Sequence, residues 1–346
     1  MRQHELMGAT ASPVDSGYRV VRTLLTNDPP SHTRYRKLVA KAFTARRIAT
    51  LEPNIRAVAD ELVDALPAQG RVDLVCELAQ PLPLIVIADF LGVPRDDLEA
   101  FRTWSADAAE VLGGTLTEQR SLECQESLQE LLGYFDRRIA ERRLHPSDDF
   151  LGLLLEARAA DAQPLRTEEM LAIAYVTLVA GNETTVNLLS SLLLLLLHDP
   201  EQLARLRADR SLIPVAVEEA LRLEAPVQGS VRVAARDTEV AGTPVSKGSR
   251  LLVVAGAANR DDQVFSDPDR FDLDRPNARA HLSFGKGIHF CLGAALSRLE
   301  AVVALEQLLD RLEGMELAPS FEPRYADNAV LRSLVSLPVD IVKARA

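Results

Sequence analysis

The amino-acid sequence predicts a mainly α protein with small β-sheets, organised as a single domain over residues 1–346. Apolar residues follow a helical period almost to residue 225, and the pattern then changes to short β-rich runs between glycines and prolines at 229–256. No internal repeat, low-complexity tract or clear linker divides the chain. Hydrophobic residues make up 47% of the sequence, so the chain can bury a large core.

Helices are expected in order along the first two thirds of the chain. In DPPSHTRYRKLVAKAF, Asn27 or Asp28 can cap a helix that has Pro29 or Pro30 in its first turn. Further helical segments are predicted at 46–66, 80–92, 95–113, 118–143, 148–157, 171–198, 200–208 and 212–224. After the β-rich runs we expect a loop (259–278), the segment FGKGIHFCLG, a helix of about twenty residues and short closing strands.

Composition restricts the partners and the compartment. Asp and Glu exceed Lys and Arg by 50 to 39, a net charge of −11, which argues against a general nucleic-acid binder. The cysteines at 76, 124 and 291 form no paired framework, which indicates a reducing compartment. The N-terminal residues carry no apolar signal region, so we expect a cytoplasmic protein.

One apolar segment, residues 171–198, is long enough to suggest a membrane span. Its middle holds Gly181, Asn182 and Glu183 followed by two threonines, and a charge at bilayer depth is costly. A long helix buried at the centre of a protein explains the segment better, so no membrane association is predicted.

The ten residues FGKGIHFCLG, at 284–293, surround one cysteine with three glycines. Gly285, Gly287 and Gly293 are expected where the backbone takes a positive φ or closely approaches another group. A cysteine that is merely buried in the core would not need these glycines. The segment therefore calls for a chemical explanation of its cysteine.

Three kinds of site could explain Cys291. A structural zinc site needs four Cys or His ligands, and only His289 lies close in sequence. A nucleophilic Cys291 with His289 as its base has no evident group to orient the histidine. A metal-binding thiolate fits better, because the following helix stabilises S⁻ and the glycines let a flat macrocycle approach the backbone. Cysteine thiolate is the haem ligand that favours O–O cleavage.

At these residues the sequence resembles the soluble bacterial type of cytochrome P450 monooxygenase. The family's haem-ligand loop, Phe-x-x-Gly-x-x-x-Cys-x-Gly, is matched by Phe284, Gly287, Cys291 and Gly293. The resemblance implies the cytochrome P450 fold and a haem b cofactor (iron protoporphyrin IX) with Cys291 as its axial ligand. It also implies that Phe284 packs beside the thiolate and tempers its donation, and that His289 faces a haem propionate.

Residues 180–185, AGNETT, resemble the family's oxygen-activating segment, in which an acid and an alcohol follow Ala-Gly. Gly181 removes side-chain bulk where O₂ would sit, and Thr184 can bond back to the carbonyl of Ala180 and open the helix locally. A buried Glu183 costs free energy unless it is hydrogen-bonded. A polar patch on an exposed helix face is the alternative, but the flanking residues are apolar. The resemblance implies that Glu183 and Thr184 help to deliver protons.

Glu219 and Arg222, three residues apart in VEEALRLEAP, resemble the family's Glu-x-x-Arg pair. Pairs with this spacing are common on surfaces, so their order in the chain carries the argument. In the family an arginine ahead of the cysteine completes the pair. We expect Arg275, with Arg270 as the competitor, and a structural task in the core beneath the haem.

The segment HTRYRKLVAKAFTARR resembles the family's propionate-binding helix. His32 and Arg36 are four residues apart, so both would face a haem carboxylate. Arg232 matches the family's second propionate arginine. The alternative for each is a solvated cation on an acidic protein.

The same segment indicates the electron donor. Residues 31–51 contain no acidic side chain. The resemblance implies that their cations form the proximal face, where an acidic ferredoxin or flavodoxin-like donor docks by electrostatic complementarity. No flavin or ferredoxin module is evident in the sequence, so a separate donor with its reductase is expected. The cations of this face are Arg34, Lys37, Lys41, Arg46 and Arg47.

The resemblance departs at the start of the chain. In soluble bacterial members a helix, the first strands of the sheet and another helix precede DPPSHTRYR, whereas about 27 residues do here. The expectation is therefore that the N-terminal helix and first strands are missing, which exposes a sheet edge and opens the substrate pocket. Candidate pocket segments are 8–18, 111–117, 227–231 and 329–336.

Two functions follow from these observations. The first is a haem-thiolate monooxygenase that inserts one oxygen atom from O₂ into a small organic substrate. The alternative is a haem-binding or substrate-presenting relative that does not turn over because its N-terminus is short. Substrate-dependent oxidation separates the two.

Overall fold

The computed structural model describes residues 24–113, 116–160 and 164–344. The pocket segment expected at 8–18, residues 114–115 of the next one, and any element before Leu24 lie outside these ranges. The helices are α1 (Ser31–Val39), α2 (Ala45–Ala65), α3 (Pro81–Leu91), α4 (Leu98–Gly113), α5 (Glu118–Leu144), α6 (Phe150–Ala160), α7 (Thr167–His198), α8 (Pro200–Ala208), α9 (Ile213–Leu223), α10 (Ala255–Ala258) and α11 (Ala294–Arg311).

The strands form three small antiparallel sheets. The order in the first sheet is β1, β7, β6, so the last strand of the chain lies between the other two. In the second sheet β2 pairs with β5, and the β3–β4 hairpin connects them. The strands are β1 (Gln69–Asp73), β2 (Gly229–Val233), β3 (Thr238–Val240), β4 (Thr243–Val245), β5 (Arg250–Val254), β6 (Leu312–Leu317) and β7 (Pro338–Lys343).

The prediction of a mainly α chain with small β-sheets is confirmed, but one strand was not predicted. β1 has only one buried side chain, Val72, so it shows no alternating pattern. Its partner is β7, whose residue Asp340 pairs with Arg71. Because its hydrogen bonds come from the far end of the chain, local sequence carries little signal for β1.

Helix α7 runs through the centre of the molecule. Its residues 170–178 contribute to one hydrophobic cluster, with α3 and α5, while 186–197 contribute to another, with α2, α9 and α11. It is the one helix in the described ranges long and apolar enough to span a bilayer, and 72% of its most apolar window is buried in the protein, as in a core helix. The central segment of α7 (residues 180–185) therefore lies between two cores.

The expected local opening of α7 was wrong. The helix continues from Thr167 to His198 without interruption. Thr184 does bond back to the carbonyl oxygen of Ala180, at 2.7 Å, but the backbone keeps its α-helical form around this contact. A hydroxyl can share the carbonyl oxygen with the helical N–H, so the extra bond need not break the helix.

Helix α1 is tied to the first turn of α7. The hydroxyl of Tyr35 donates to Oε1 of Glu169 at 2.6 Å, and both side chains are buried. Burial and this hydrogen bond raise the pKa of Tyr35 to about 12, so the tyrosine stays a donor at physiological pH. The contact fixes α1 relative to the central helix, and α1 carries His32 and Arg36.

Candidate active site

The cysteine loop (residues 284–293) turns back on itself so that its two ends meet. The N–H of Cys291 donates to the carbonyl oxygen of Phe284 at 2.9 Å. Gly285 and Gly287 have φ values of +69° and +74°, which an L side chain adopts only with strain. Gly293 has an ordinary φ of −80°, so the reason expected from the sequence holds for two of the three glycines.

Cys291 lies just before α11, whose first residue is Ala294. Desolvation by the surrounding protein raises the pKa of the thiol, although the residue is partly exposed at the loop surface. The N–H groups of Gly293 and Ala294 and the charges of Arg36 and Arg298 act in the opposite direction. These groups are arranged to favour a thiolate, and a bound metal cation would complete the stabilisation.

A cradle of nitrogen donors lies beside this loop. The rings of His32 and His289 are 4.3 Å apart between centroids. Nδ1 and Nε2 of His32 and Nε2 of His289 are buried without a hydrogen-bond partner. Burial lowers the pKa of both histidines. Buried polar atoms without partners are rare in proteins, so these nitrogens indicate a ligand with acceptor groups.

Two arginines border the cradle. Nη2 of Arg36 donates to the carbonyl oxygen of Phe290, at 2.5 Å, which brings α1 against the cysteine loop. Arg232 on β2 donates to Oγ of Ser230 at 3.1 Å, and its charge acts on His289. The charge of Asp28 opposes the lowered pKa of both histidines. The structure thus brings His32, Arg36, Arg232 and His289 to one side of the cysteine loop.

These residues fit a haem group. A thiolate ligand, glycines at the loop turns and a set of histidine and arginine donors match an iron macrocycle that carries two carboxylates. The described residues contain no group of three or more His, Cys, Asp or Glu side chains that could hold a metal ion by themselves. A structural zinc site around Cys291 therefore finds no support among them.

The central segment of α7 contains the candidate acid and alcohol. Ala180 is exposed although the four residues before it are buried, so this point of the helix is open to solvent. Desolvation raises the pKa of Glu183 to about 7, against a hydrogen bond from Ser105 that lowers it. A carboxyl group with such a pKa can hold and release a proton near neutral pH.

Two side chains hold Glu183, and sequence reasoning missed one of them. Nδ2 of Asn182 donates to Oε1 of Glu183 at 3.2 Å and to Oγ of Ser105 at 2.8 Å. Ser105 belongs to α4, is fully buried and is 77 residues away from Asn182 in sequence. Its only sequence signal is a hydroxyl on the apolar face of an amphipathic helix. The acid is therefore held by neutral groups from two helices.

Gly181 also packs against a neighbouring helix, a contact that the sequence did not indicate. A Cβ atom at this position would lie 2.8 Å from Cδ1 of Ile87 on α3. The glycine therefore allows α3 to pack closely against α7. Its carbonyl oxygen accepts a hydrogen bond from Thr185 at 3.0 Å.

The structure brings Arg275 to the Glu219–Arg222 pair. Arg222 donates to both carboxylate oxygens of Glu219, at 2.7 and 3.0 Å, and Nε of Arg275 donates to Oε2 at 2.9 Å. The competitor Arg270 contributes only its backbone carbonyl oxygen, which accepts from both arginines. All three charged side chains are at most 2% exposed. Further carbonyl oxygens of the 259–268 loop accept the remaining N–H groups.

A second buried carboxylate was missed. Glu218, next to Glu219, accepts hydrogen bonds from His281 and Arg298. The sequence offered two signals: two adjacent acids in an otherwise apolar helix, and an arginine seven residues after Cys291, on the same face of the following helix.

Comparison with known proteins identifies the relatives of this arrangement. Residues 115–334 match the family model described as Cytochrome P450. Cytochrome P450 107B1 of Saccharopolyspora erythraea is 44% identical over 318 residues, which cover 91% of this chain and 76% of the relative. Cytochrome P450 monooxygenase PikC of Streptomyces venezuelae is 43% identical over 320 residues, covering 91% of this chain and 75% of the relative.

Solved structures agree with the sequence relatives. P450BioI, crystallised with an acyl carrier protein that carries hexadec-9Z-enoic acid, superimposes with a TM-score of 0.88. The identity is 36%, and the match covers 92% of this chain and 81% of P450BioI. The likeness therefore extends over nearly all of the present chain in both sequence and fold.

Proposed function

This chain belongs to the cytochrome P450 family and is a haem monooxygenase; from that premise we propose that it inserts one oxygen atom from O₂ into a small organic substrate in the cytoplasm. Members of the family bind haem b through a cysteine thiolate and receive electrons from separate redox partners. We further propose that the donor here is a ferredoxin or flavodoxin-like protein supplied by its reductase.

The observation that carries the proposal is the position of Cys291. Of the three cysteines, it is the one that lies before a helix, within reach of the charges of two arginines and beside unpartnered histidine nitrogens. We assign Cys291 as the residue that would bind the haem iron; Phe284, at the start of the same loop, packs against the hydrophobic core. Cys76 is exposed and Cys124 is buried in α5, and neither has comparable surroundings.

The donors around the loop would hold the two haem carboxylates. His32, His289, Arg36 and Arg232 come from α1, the loop and β2, so one group bound between them would connect three parts of the fold. The bound haem supplies the iron at which O₂ is activated. The protein would orient the group and deliver protons.

We assign the proton delivery to Glu183 and Thr184. The carboxyl oxygens of Glu183 hold a proton near neutral pH, since desolvation raises the pKa to about 7. Oγ1 of Thr184 donates to the carbonyl oxygen of Ala180 and keeps lone pairs that can accept a hydrogen bond from a proton donor outside the helix. Buried apolar side chains before and after this segment exclude water from the rest of α7.

Isotope incorporation tests the function. Candidate substrates are first selected by the spectral change that they cause in the ferric haem protein. Each selected compound is then incubated with a surrogate ferredoxin, its reductase, NADPH and ¹⁸O₂. We expect at least one compound to gain a single ¹⁸O atom. Compounds that change the spectrum but never gain ¹⁸O would contradict the proposal and favour binding without turnover.

A further inference from the structure

Next to the cysteine loop, Glu218 and Arg298 form an ion pair that has no part in the proposed proton delivery. Glu218 of α9 accepts two hydrogen bonds from Arg298 of α11, Nε to Oε1 at 2.7 Å and Nη2 to Oε2 at 2.9 Å. The side chain of Glu218 is 3% exposed. A bidentate contact of this kind fixes the plane of the guanidinium group as well as its position.

His281 completes this contact as a neutral donor. Its Nδ1 accepts from the N–H of Ser283 at 3.2 Å, so the ring proton is on Nε2, which donates to Oε2 of Glu218 at 2.9 Å. Burial works against the charge of Glu218, but the hydrogen bonds from His281 and Arg298 lower its pKa to about 2. Arg279 approaches the same carboxylate at 3.5 Å from the surface. Glu218 therefore stays ionised at physiological pH.

The guanidinium group of Arg298 lies directly against the cysteine loop. Its Cζ is 4.4 Å from the centroid of the Phe284 ring, and the ring of His281 is 5.8 Å from the same centroid. The carbonyl oxygen of Phe284 accepts the N–H of Cys291. The charge of Arg298 favours the ionised form of Cys291. A continuous set of contacts therefore runs from Glu218 through Arg298 and Phe284 to the backbone of Cys291.

We propose that Arg298, held by Glu218 and stacked on Phe284, is a positioning residue that sets how strongly the Cys291 thiolate donates to the haem iron. This inference rests on the proposed ligation of the iron by Cys291. The interaction does not titrate in the physiological range, because a guanidinium group keeps its proton in proteins.

The physical basis is a fixed positive charge close to the ligand sulfur. A cation stabilises negative charge on the sulfur, so less of that charge is donated to the iron. Weaker donation makes the ferric iron easier to reduce. Loss of the cation should therefore shift the reduction potential to more negative values, whereas loss of the neighbouring anion should shift it in the opposite direction.

The reduction potential of the haem-loaded protein tests this in three variants. Arg298→Met removes the charge but keeps an unbranched apolar side chain, and its potential should shift to a more negative value. Arg298→Lys keeps the charge, and its potential should stay nearer to that of the wild type. Glu218→Gln keeps the shape and removes the negative charge, so its potential should shift to a more positive value. Arg311→Met, at the other end of α11, is the control and should leave the potential unchanged.

Opposite signs distinguish an electrostatic role from a packing role. If loosened packing alone were responsible, Arg298→Met and Glu218→Gln would shift the potential in the same direction, and that result would overturn the proposal. Equal potentials in Arg298→Met, Arg298→Lys and wild type would also overturn it, even if Glu218→Gln failed to fold. The ligation is judged separately: a wild-type protein whose reduced carbon monoxide adduct lacks the red-shifted Soret band refutes Cys291 as the ligand.

Discussion

The carboxylates buried next to the cysteine loop have charged partners, whereas the carboxyl group buried in the central segment of α7 has neutral ones. Behind the loop, Glu218 and Glu219 are each paired with two or more cationic or neutral donors, and their arginines use carbonyl oxygens for the remaining N–H groups. In the central segment, Glu183 is held by the amide of Asn182 and the hydroxyl of Ser105, and no cation from the described ranges contacts it.

The difference separates a holding function from a proton-transfer function. Hydrogen bonds from His281 and Arg298 lower the pKa of Glu218 to about 2 despite its burial, so it never changes charge at working pH. Desolvation dominates at Glu183 and raises its pKa to about 7, so this group changes charge easily. A fixed scaffold suits the side that binds the ligand sulfur, and a titrating acid suits the side that delivers protons.

The largest expected effect comes from removing one arginine of the buried Glu219–Arg222–Arg275 contact. Arg222→Ala leaves Glu219 buried with only Arg275 as a charged partner, and we expect a loss of about 3–5 kcal/mol in the free energy of unfolding. Much of the protein should then fail to retain haem. Chemical denaturation and the haem-to-protein absorbance ratio measure the two effects.

A surface pair provides the control for Arg222. Arg205 and Asp274 form an ion pair at 2.8 Å, with side chains 35% and 66% exposed. Arg205→Ala should cost at most about 1 kcal/mol, because exposed pairs contribute little. Similar losses in the two variants would mean that the Glu219–Arg222–Arg275 contact has no special weight.

The pH dependence of stability tests the titration of Glu183. Glu183 has a folded-state pKa of about 7, above its ordinary value of 4.5, so the folded protein binds an extra proton between these pH values. The stability that this group contributes is therefore present at low pH and lost as the pH rises through about 7. Glu183→Gln removes the loss, and its advantage over wild type should grow by up to about 3 kcal/mol from pH 4.5 to 8.

Denaturant unfolding at several pH values measures this difference. Glu126→Gln, which removes an exposed carboxylate of α5, is the matched control and should follow the wild-type curve. A Glu183→Gln curve parallel to wild type over the whole range would show that Glu183 does not titrate there. Ser105→Ala should enhance the wild-type pH dependence, since the hydrogen bond from Ser105 lowers the pKa of Glu183.

Coupling of electrons to product tests the alcohol of the central segment. Thr184→Ala should retain haem but lower the product formed per NADPH by at least about ten-fold, with hydrogen peroxide replacing product, because proton delivery is lost. Thr177→Ala is a close control, since Thr177 also donates to a carbonyl four residues earlier, at 2.8 Å, but lies almost two turns away. An unchanged ratio in Thr184→Ala would remove Thr184 from the relay.

The smallest expected effect concerns the proximal surface. Lys37, Lys41 and Arg46 are exposed, and their replacement by Glu should slow electron transfer from an acidic ferredoxin several-fold. The effect should shrink as salt is added. Arg137→Glu on α5 changes the charge by the same amount per residue and should leave the rate unaltered. Rates that fall equally for Arg137→Glu would indicate a general effect of charge.

Features set by local sequence pattern were predicted better than features set by contacts between distant residues. The helix order, the cysteine loop, the central segment and the choice of Arg275 over Arg270 came from sequence, and the structure confirms the helix order and pairs Arg275 with Glu219. Ser105, His281 and Arg298 did not, because their partners are 77, 63 and 80 residues away. Strand β1 failed for the same reason, and the role of Gly181 depended on a contact with Ile87 from another helix.

The central claim is that Cys291 binds the haem iron as a thiolate. The absorption spectrum of the reduced protein with carbon monoxide tests it most directly, since thiolate ligation gives the adduct a red-shifted Soret band. We predict the band in wild type, Cys76→Ala and Cys124→Ala, and its loss in Cys291→His, which should keep some haem. Retention of the red-shifted band by Cys291→Ala would contradict the account.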